Sequence, residues 1–137
     1  MTNGYNVGVL GGGFVGSAVA FGFGSSNGFD FDVKVHDVDP NRSSHSFEEM
    51  TDTSDFIFVC LPTPHKDDMS IDLSYIEKGL EDLSKKVDPF NQTIIIKSTV
   101  VPGTCRRLSK KYGIEPRIFD RAKSKVGLYQ RLAGCYW

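Results

Sequence analysis

Two rhythms of apolar residues alternate along this chain. Val7–Leu10 is a short apolar run, Asp32–His36 alternates polar and apolar, Asp55–Leu61 is almost wholly apolar, and Thr93–Lys97 holds three successive isoleucines. Short runs of this kind predict strands, and the unbroken ones predict strands buried on both faces of a parallel sheet. Between them lie stretches with helical spacing: Phe14–Gly24, a short piece at Ser46–Met50 behind a capping serine, and Leu73–Val87. In the last of these, Leu73, Ile76, Leu80, Leu83 and Val87 share one face, and Asp72 is the candidate cap. A final helix is expected over Thr104–Tyr112, ending at Gly113. Turn-forming clusters separate the elements at Ser25–Gly28, Asp39–Arg42, Pro62–Pro64, His65–Ser70 and Asp88–Asn91. Strand and helix alternate, so the expected class is α/β, with a doubly wound, mainly parallel sheet, helices on both faces and right-handed crossovers.

Composition narrows the class without naming a chemistry. The 137 residues are 39% hydrophobic and 24% charged, ordinary for a globular domain with a core of its own. No apolar run approaches the roughly 20 residues that span a bilayer, and no basic segment precedes an apolar stretch at the N-terminus, so neither a membrane span nor a signal peptide is expected. Cys60, Cys105 and Cys135 are odd in number and far apart. They suit neither a disulfide framework nor a metal site, which leaves a reducing cytoplasm as the expected compartment and no metal. Cys60, inside an apolar run, reads as a buried strand residue rather than a nucleophile. A net charge of −1 gives no sign of a nucleic-acid partner.

The candidate chemistry lies where the first strand gives way to the first helix. Gly11, Gly13 and Gly16 stand in the G-x-G-x-x-G spacing between those two elements. Each glycine has a mechanical role. Gly11 permits a tight turn, Gly13 lets a pyrophosphate approach the backbone, and Gly16 lets the helix pack close to the strand. The start of the helix then offers unpaired N–H groups and a positive dipole end to phosphates. Asp37 ends the second strand roughly 20 residues beyond the glycines, where an acid accepts the adenosine ribose hydroxyls and repels a 2′-phosphate. The expectation is a Rossmann-type domain that binds NAD rather than NADP. Thr63 and Thr99 each follow a buried strand, at the sheet edge where ligands of open α/β sheets bind.

Several separate stretches agree with one family. Gly11-Gly12-Gly13-Phe14-Val15-Gly16, Val35-His36-Asp37-Val38-Asp39-Pro40-Asn41-Arg42, the Asp55–Leu61 run with Pro62-Thr63-Pro64, Ile71-Asp72-Leu73-Ser74, and Ile96-Lys97-Ser98-Thr99-Val100-Val101-Pro102-Gly103-Thr104 follow in order. Over about residues 5–116 the chain resembles the NAD-binding N-terminal domain of the UDP-glucose/GDP-mannose dehydrogenase family. The Pro-Thr-Pro and Lys-Ser-Thr-Val-Val-Pro-Gly-Thr pieces are the specific ones. The resemblance implies NAD-dependent oxidation of a nucleotide-sugar alcohol to a uronic acid by two hydride transfers, and homo-oligomers among full-length members. It places Gly11, Gly13, Phe14, Val15 and Gly16 in the pyrophosphate loop, Asp37 on the ribose, and Arg42 at the adenosine end. Thr63 falls beside the nicotinamide, and Thr99 against the cofactor, helping to place a catalytic water. Other readings of the same residues are the cofactor half of a β-hydroxyacid-type dehydrogenase and a stand-alone, non-catalytic NAD-binding module.

The chain also departs from the family. The segment between Asp37 and Asp55 is short, so the helix there is expected to be reduced. Met69 stands where a glycine often precedes the Ser-Ile-Asp-Leu piece. The family's catalytic Cys and Lys have no counterpart, since Gly134-Cys135 lacks the Lys-Asp that should follow. This chain alone is therefore expected to be inactive. Residues 117–137 hold Arg117, Arg121, Lys123, Lys125 and Arg131 against the single acid Asp120, whereas residues 1–116 are net acidic. Dropping the first nucleotide of the Arg117 codon permits Glu, Tyr or Phe, Leu, Thr, Glu directly after Pro116, the motif the family carries there. The expectation is an NAD-binding domain over 1–116, followed by an atypical basic tail that is either read out of frame from a truncated gene or a genuine basic C-terminal extension.

Overall fold

A computed structural model describes residues 5–24, 28 and 31–113. Its strands are β1 (Asn6–Leu10), β2 (Asp32–His36), β3 (Phe56–Val59) and β4 (Thr93–Ile96); its helices are α1 (Phe14–Gly22), α2 (Phe47–Thr53), α3 (Ser74–Ser84) and α4 (Thr104–Lys111). A 3-10 turn covers Pro40–Arg42. The four strands form one parallel sheet in the order β2-β1-β3-β4. The boundary expected at residue 116 and the basic tail lie outside the described residues.

The pleat explains why helices cover both faces. Val7, Val9, Phe56 and Phe58 pack with Val19, Ala20 and Phe23, on and just beyond α1. Leu10, Ile57 and Val59 project to the other face, where Met50 of α2, Ile76, Leu80 and Leu83 of α3, and Leu108 of α4 close over them. The chain moves outward from β1 to β2 along one face and returns to β3 along the other. That reversal makes the C-terminal ends of β1 and β3 a topological switch point, where a crevice opens. On α3, three buried aliphatic side chains each contribute ~1.5–3 kcal/mol. Its exposed Lys78–Asp82 and Lys85–Glu81 pairs add about 0.3–0.5 kcal/mol each, so burial dominates its docking.

Some boundaries differ from expectation for local reasons. α2 is seven residues long, short as anticipated, and opens with a full capping box in which Ser46 and Glu49 bond each other's backbone N–H. Asp72 is not the N-cap of α3: Leu73 holds that position, and the Asp72 carboxylate accepts the Ser74 N–H from one residue further back. α3 ends at Ser84 with Lys85 as its C-cap, and beyond it the Lys86 and Val87 N–H groups share the Leu83 carbonyl. Met69 is the one non-glycine with a positive φ, 67°, among the described residues, a backbone geometry that favours glycine.

α2 lies against β1 through Gly8. A Cβ there would stand 2.6 Å from Ser54 Oγ and 2.9 Å from Met50 Cγ. At Gly22, the last residue of α1, a Cβ would meet nothing within 4 Å. Gly8→Ala should therefore destabilise the domain by about 1–3 kcal/mol through overpacking. Gly22→Ala should leave stability unchanged or raise it by about 0.5–1 kcal/mol. Urea unfolding of the two variants beside the wild type measures the contrast.

Candidate functional site

The ends of β1, β2 and β3 meet at the glycine turn. Gly11 has φ +102°, its N–H donates to the His36 carbonyl at 2.8 Å, and the Cys60 N–H donates to Leu10 at 2.8 Å. A Cβ on Gly11 would lie 2.5 Å from the Cys60 carbonyl oxygen. A Cβ on Gly16 would collide with the Gly11 carbonyl oxygen, so α1 reaches its position only because Gly16 has none. Gly13 differs: a Cβ there would meet no atom within 4 Å. Its missing side chain therefore serves open space in front of the turn. Gly13 is also the N-cap of α1 and supplies no side-chain cap. The N–H groups of the first helical turn lack intrahelical acceptors and stand at the mouth of that space, flanked by Phe14 and Val15, both exposed. The backbone thus fits a pyrophosphate at Gly13.

Asp37 is held against this turn. Its Oδ2 accepts the Gly12 N–H at 2.7 Å and its Oδ1 the Asp39 N–H at 2.8 Å. Burial pushes its pKa up, but those two N–H donors and the charges of Arg42 and His36 outweigh it, holding the carboxyl below the usual range. Ser43 fixes the main chain at the same residue: its Oγ accepts the Asp37 N–H at 2.8 Å and donates to the Asp37 carbonyl at 3.1 Å. Arg42 has its guanidinium in solvent, 3.6 Å from Asp39. Its carbonyl oxygen presses on Gly12, where a Cβ would collide with it. Gly12 therefore joins the turn to Asp37 and to Arg42, a role the G-x-G-x-x-G spacing does not show; the run of three glycines was its one signal.

Thr63 and Thr99 occupy the loops after β3 and β4, on the same sheet edge. Thr63 is half-buried and Thr99 exposed. Ser98, rather than either threonine, joins the loops, donating to the Leu61 carbonyl at 2.6 Å. Burial pushes the Cys60 thiol up to about 11 against the opposing charge of Lys97, so it is not a thiolate nucleophile at neutral pH. Among the described residues no group of His, Cys, Asp and Glu could hold a metal ion, and no helix is long and apolar enough to cross a membrane.

A sequence profile of the UDP-glucose/GDP-mannose dehydrogenase family, NAD binding domain, matches residues 41–126. UDP-glucose 6-dehydrogenase AglM of Haloferax volcanii is 35% identical over 99 residues, 69% of this chain and 21% of that protein. GDP-mannose 6-dehydrogenase of Pseudomonas aeruginosa is 30% identical over 84 residues, 60% of this chain and 18% of that protein. Among solved structures, a UDP-glucose dehydrogenase from Pyrobaculum islandicum aligns with a TM-score of 0.65 at 24% identity, covering 82% of this chain and 34% of its own. The chain thus spans about a fifth of the length of these curated relatives. The matched profile begins beyond the glycine turn and Asp37, so the geometry of those residues is an independent observation.

Asp37 sets a pH dependence with a definite sign. Its folded pKa lies below the unfolded one, so its contribution is complete above the unfolded value, about 3.9, and disappears as pH falls through the folded value. Asp37→Asn should be less stable than the wild type near neutrality, and the gap should narrow steadily as the medium is acidified below about pH 4. Denaturant midpoints of both proteins across that range measure it.

Proposed function

Since the chain belongs to the UDP-glucose/GDP-mannose dehydrogenase family and carries its NAD-binding domain, we propose that it is the cofactor half of a nucleotide-sugar 6-dehydrogenase. The substrate is UDP-glucose, GDP-mannose or a similar nucleotide sugar, oxidised to its uronic acid. The observation that carries this reading is the junction of the glycine turn with Asp37. The Gly12 N–H holds one carboxylate oxygen, and each oxygen of a carboxylate can accept about two hydrogen bonds. Both oxygens therefore retain acceptor capacity for a ribose diol.

Each residue then has a physical role. Gly13 leaves room for the pyrophosphate, and the first-turn N–H groups of Phe14, Val15 and Gly16 supply donors and the positive end of the α1 dipole. Asp37, ionised at neutral pH, accepts the ribose hydroxyls and opposes a 2′-phosphate, which favours NAD over NADP. Arg42 stands at the adenosine end. NAD, when bound, supplies the hydride acceptor. Thr63 and Thr99 present hydroxyls on the nicotinamide side, Thr99 helping to hold a water. The thiol for covalent catalysis is not among these residues, and that chemistry cannot proceed without its nucleophile.

Calorimetry on the 137-residue chain tests the reading. NAD should bind, and Asp37→Ala should weaken it by about 1.5–3 kcal/mol, the cost of losing a charge-assisted hydrogen-bonding partner. Unchanged affinity in that variant would remove Asp37 from the site. With NAD and UDP-glucose supplied together, the chain alone should produce no NADH absorbance; sustained NADH formation would contradict the need for an absent thiol.

A further inference from the structure

β3 and β4 stop pairing just before the two threonine loops, and the way they stop is informative. In the ladder, the Thr93 N–H donates to Asp55 and the Lys97 N–H to Val59, at 2.9 Å each. Parallel strands bond at every second residue, so the next rung would carry the Thr99 N–H to the Leu61 carbonyl. That rung is replaced. The Ser98 N–H also turns to Val59, at 3.3 Å, and the Ser98 Oγ takes the Leu61 carbonyl at 2.6 Å. A side chain one residue early stands in for the main chain, so the backbone can leave the sheet at Thr99 while the two loops remain tied. Leu61 is two residues before Thr63, and Ser98 immediately precedes Thr99. The hydroxyl therefore links the two segments that carry the nicotinamide-side threonines. Ser98 is half-buried, which limits competition from water for that bond.

We propose that Ser98 is a positioning residue, whose hydroxyl sets the spacing of the Thr63 and Thr99 loops and so orders the nicotinamide end of the cofactor site without touching the adenosine end. This rests on the NAD site described above. It is distinct from a fold role: β4 is already held by its backbone rungs, and the short Ser98 Oγ bond reaches Leu61, one rung beyond them, while the same hydroxyl stands 3.4 Å from the Val59 carbonyl of the last rung.

Two ligands separate the ends of the site. ADP-ribose fills the adenosine and pyrophosphate part alone, whereas NADH adds a nicotinamide whose fluorescence reports its surroundings. Wild type, Ser98→Ala and Ser98→Thr chains are titrated with each. In Ser98→Ala, ADP-ribose affinity should stay within about twofold, while NADH binds about threefold to tenfold more weakly, the range one net hydrogen bond can move. The fluorescence of the NADH that still binds should fall toward that of free NADH. Ser98→Thr, which keeps the hydroxyl, should restore both. A wild-type NADH signal in Ser98→Ala, an equal loss of ADP-ribose and NADH, or no rescue by threonine would overturn the proposal. If the wild type binds ADP-ribose and NADH with no change in nicotinamide fluorescence, this inference alone falls. If it binds neither, the cofactor reading falls with it.

Discussion

The contact on which this structure depends is the approach of the Gly11 carbonyl to the Cα of Gly16. No side chain fits between them, and α1 takes its place beside β1 because none is there. Two consequences follow from that one approach. The first turn of α1 is brought to the C-terminal edge of the sheet, with its unpaired N–H groups facing the space in front of Gly13. The Gly12 N–H is also left pointing away from the helix, where Asp37 accepts it at 2.7 Å. A larger residue at position 16 would displace the helix, the donors and the partner of Asp37 together.

The second layer of the site is polar and local. The Asp37 carboxylate accepts from the Gly12 and Asp39 N–H groups, while Ser43 Oγ accepts the Asp37 N–H and donates to the Asp37 carbonyl. Alongside it, Ser44 exchanges hydrogen bonds with Val35, covering the open side of edge strand β2 where no further strand pairs among the described residues. An acid on a strand end would otherwise be a solvated, mobile group. Here its position and its ionised state have the same cause, because the N–H groups that orient the carboxylate also lower its pKa. Across the switch point the arrangement is looser: the Thr63 and Thr99 loops run out from β3 and β4, with Ser98 bridging them.

Much of this was legible in the residues because each signal was local or periodic. The apolar runs located β1, β3 and β4, since a buried parallel strand has little choice but to be apolar, and the polar–apolar alternation of Asp32–His36 located edge strand β2. The glycine spacing located the turn, and the structure gives Gly11 and Gly16 the steric roles the spacing implies. What was not legible depends on neighbours distant in sequence. Gly8 reads as an ordinary strand residue until Ser54 and Met50 of the α2 region lie against it. Gly12 falls between the fingerprint positions, and its demand for glycine comes from the Arg42 carbonyl across the fold. Asp72 was expected as the cap of α3, but its carboxylate reaches the same helix end from one residue earlier, a difference of register that composition does not encode. Ser98 stood in the sequence only as one letter of a family motif, and its bond to Leu61 exists only once β3 and β4 are paired.

Amide chemical shifts, followed during an NAD titration of the isotopically labelled chain, test most directly whether the cofactor lies across the glycine turn and Asp37. The largest changes are expected on residues 11–17 and 37–43, with smaller ones after β3 and β4 and little on the outer face of α3. NAD that leaves the glycine turn undisturbed, or that shifts chiefly the α3–α4 surface, would contradict that placement.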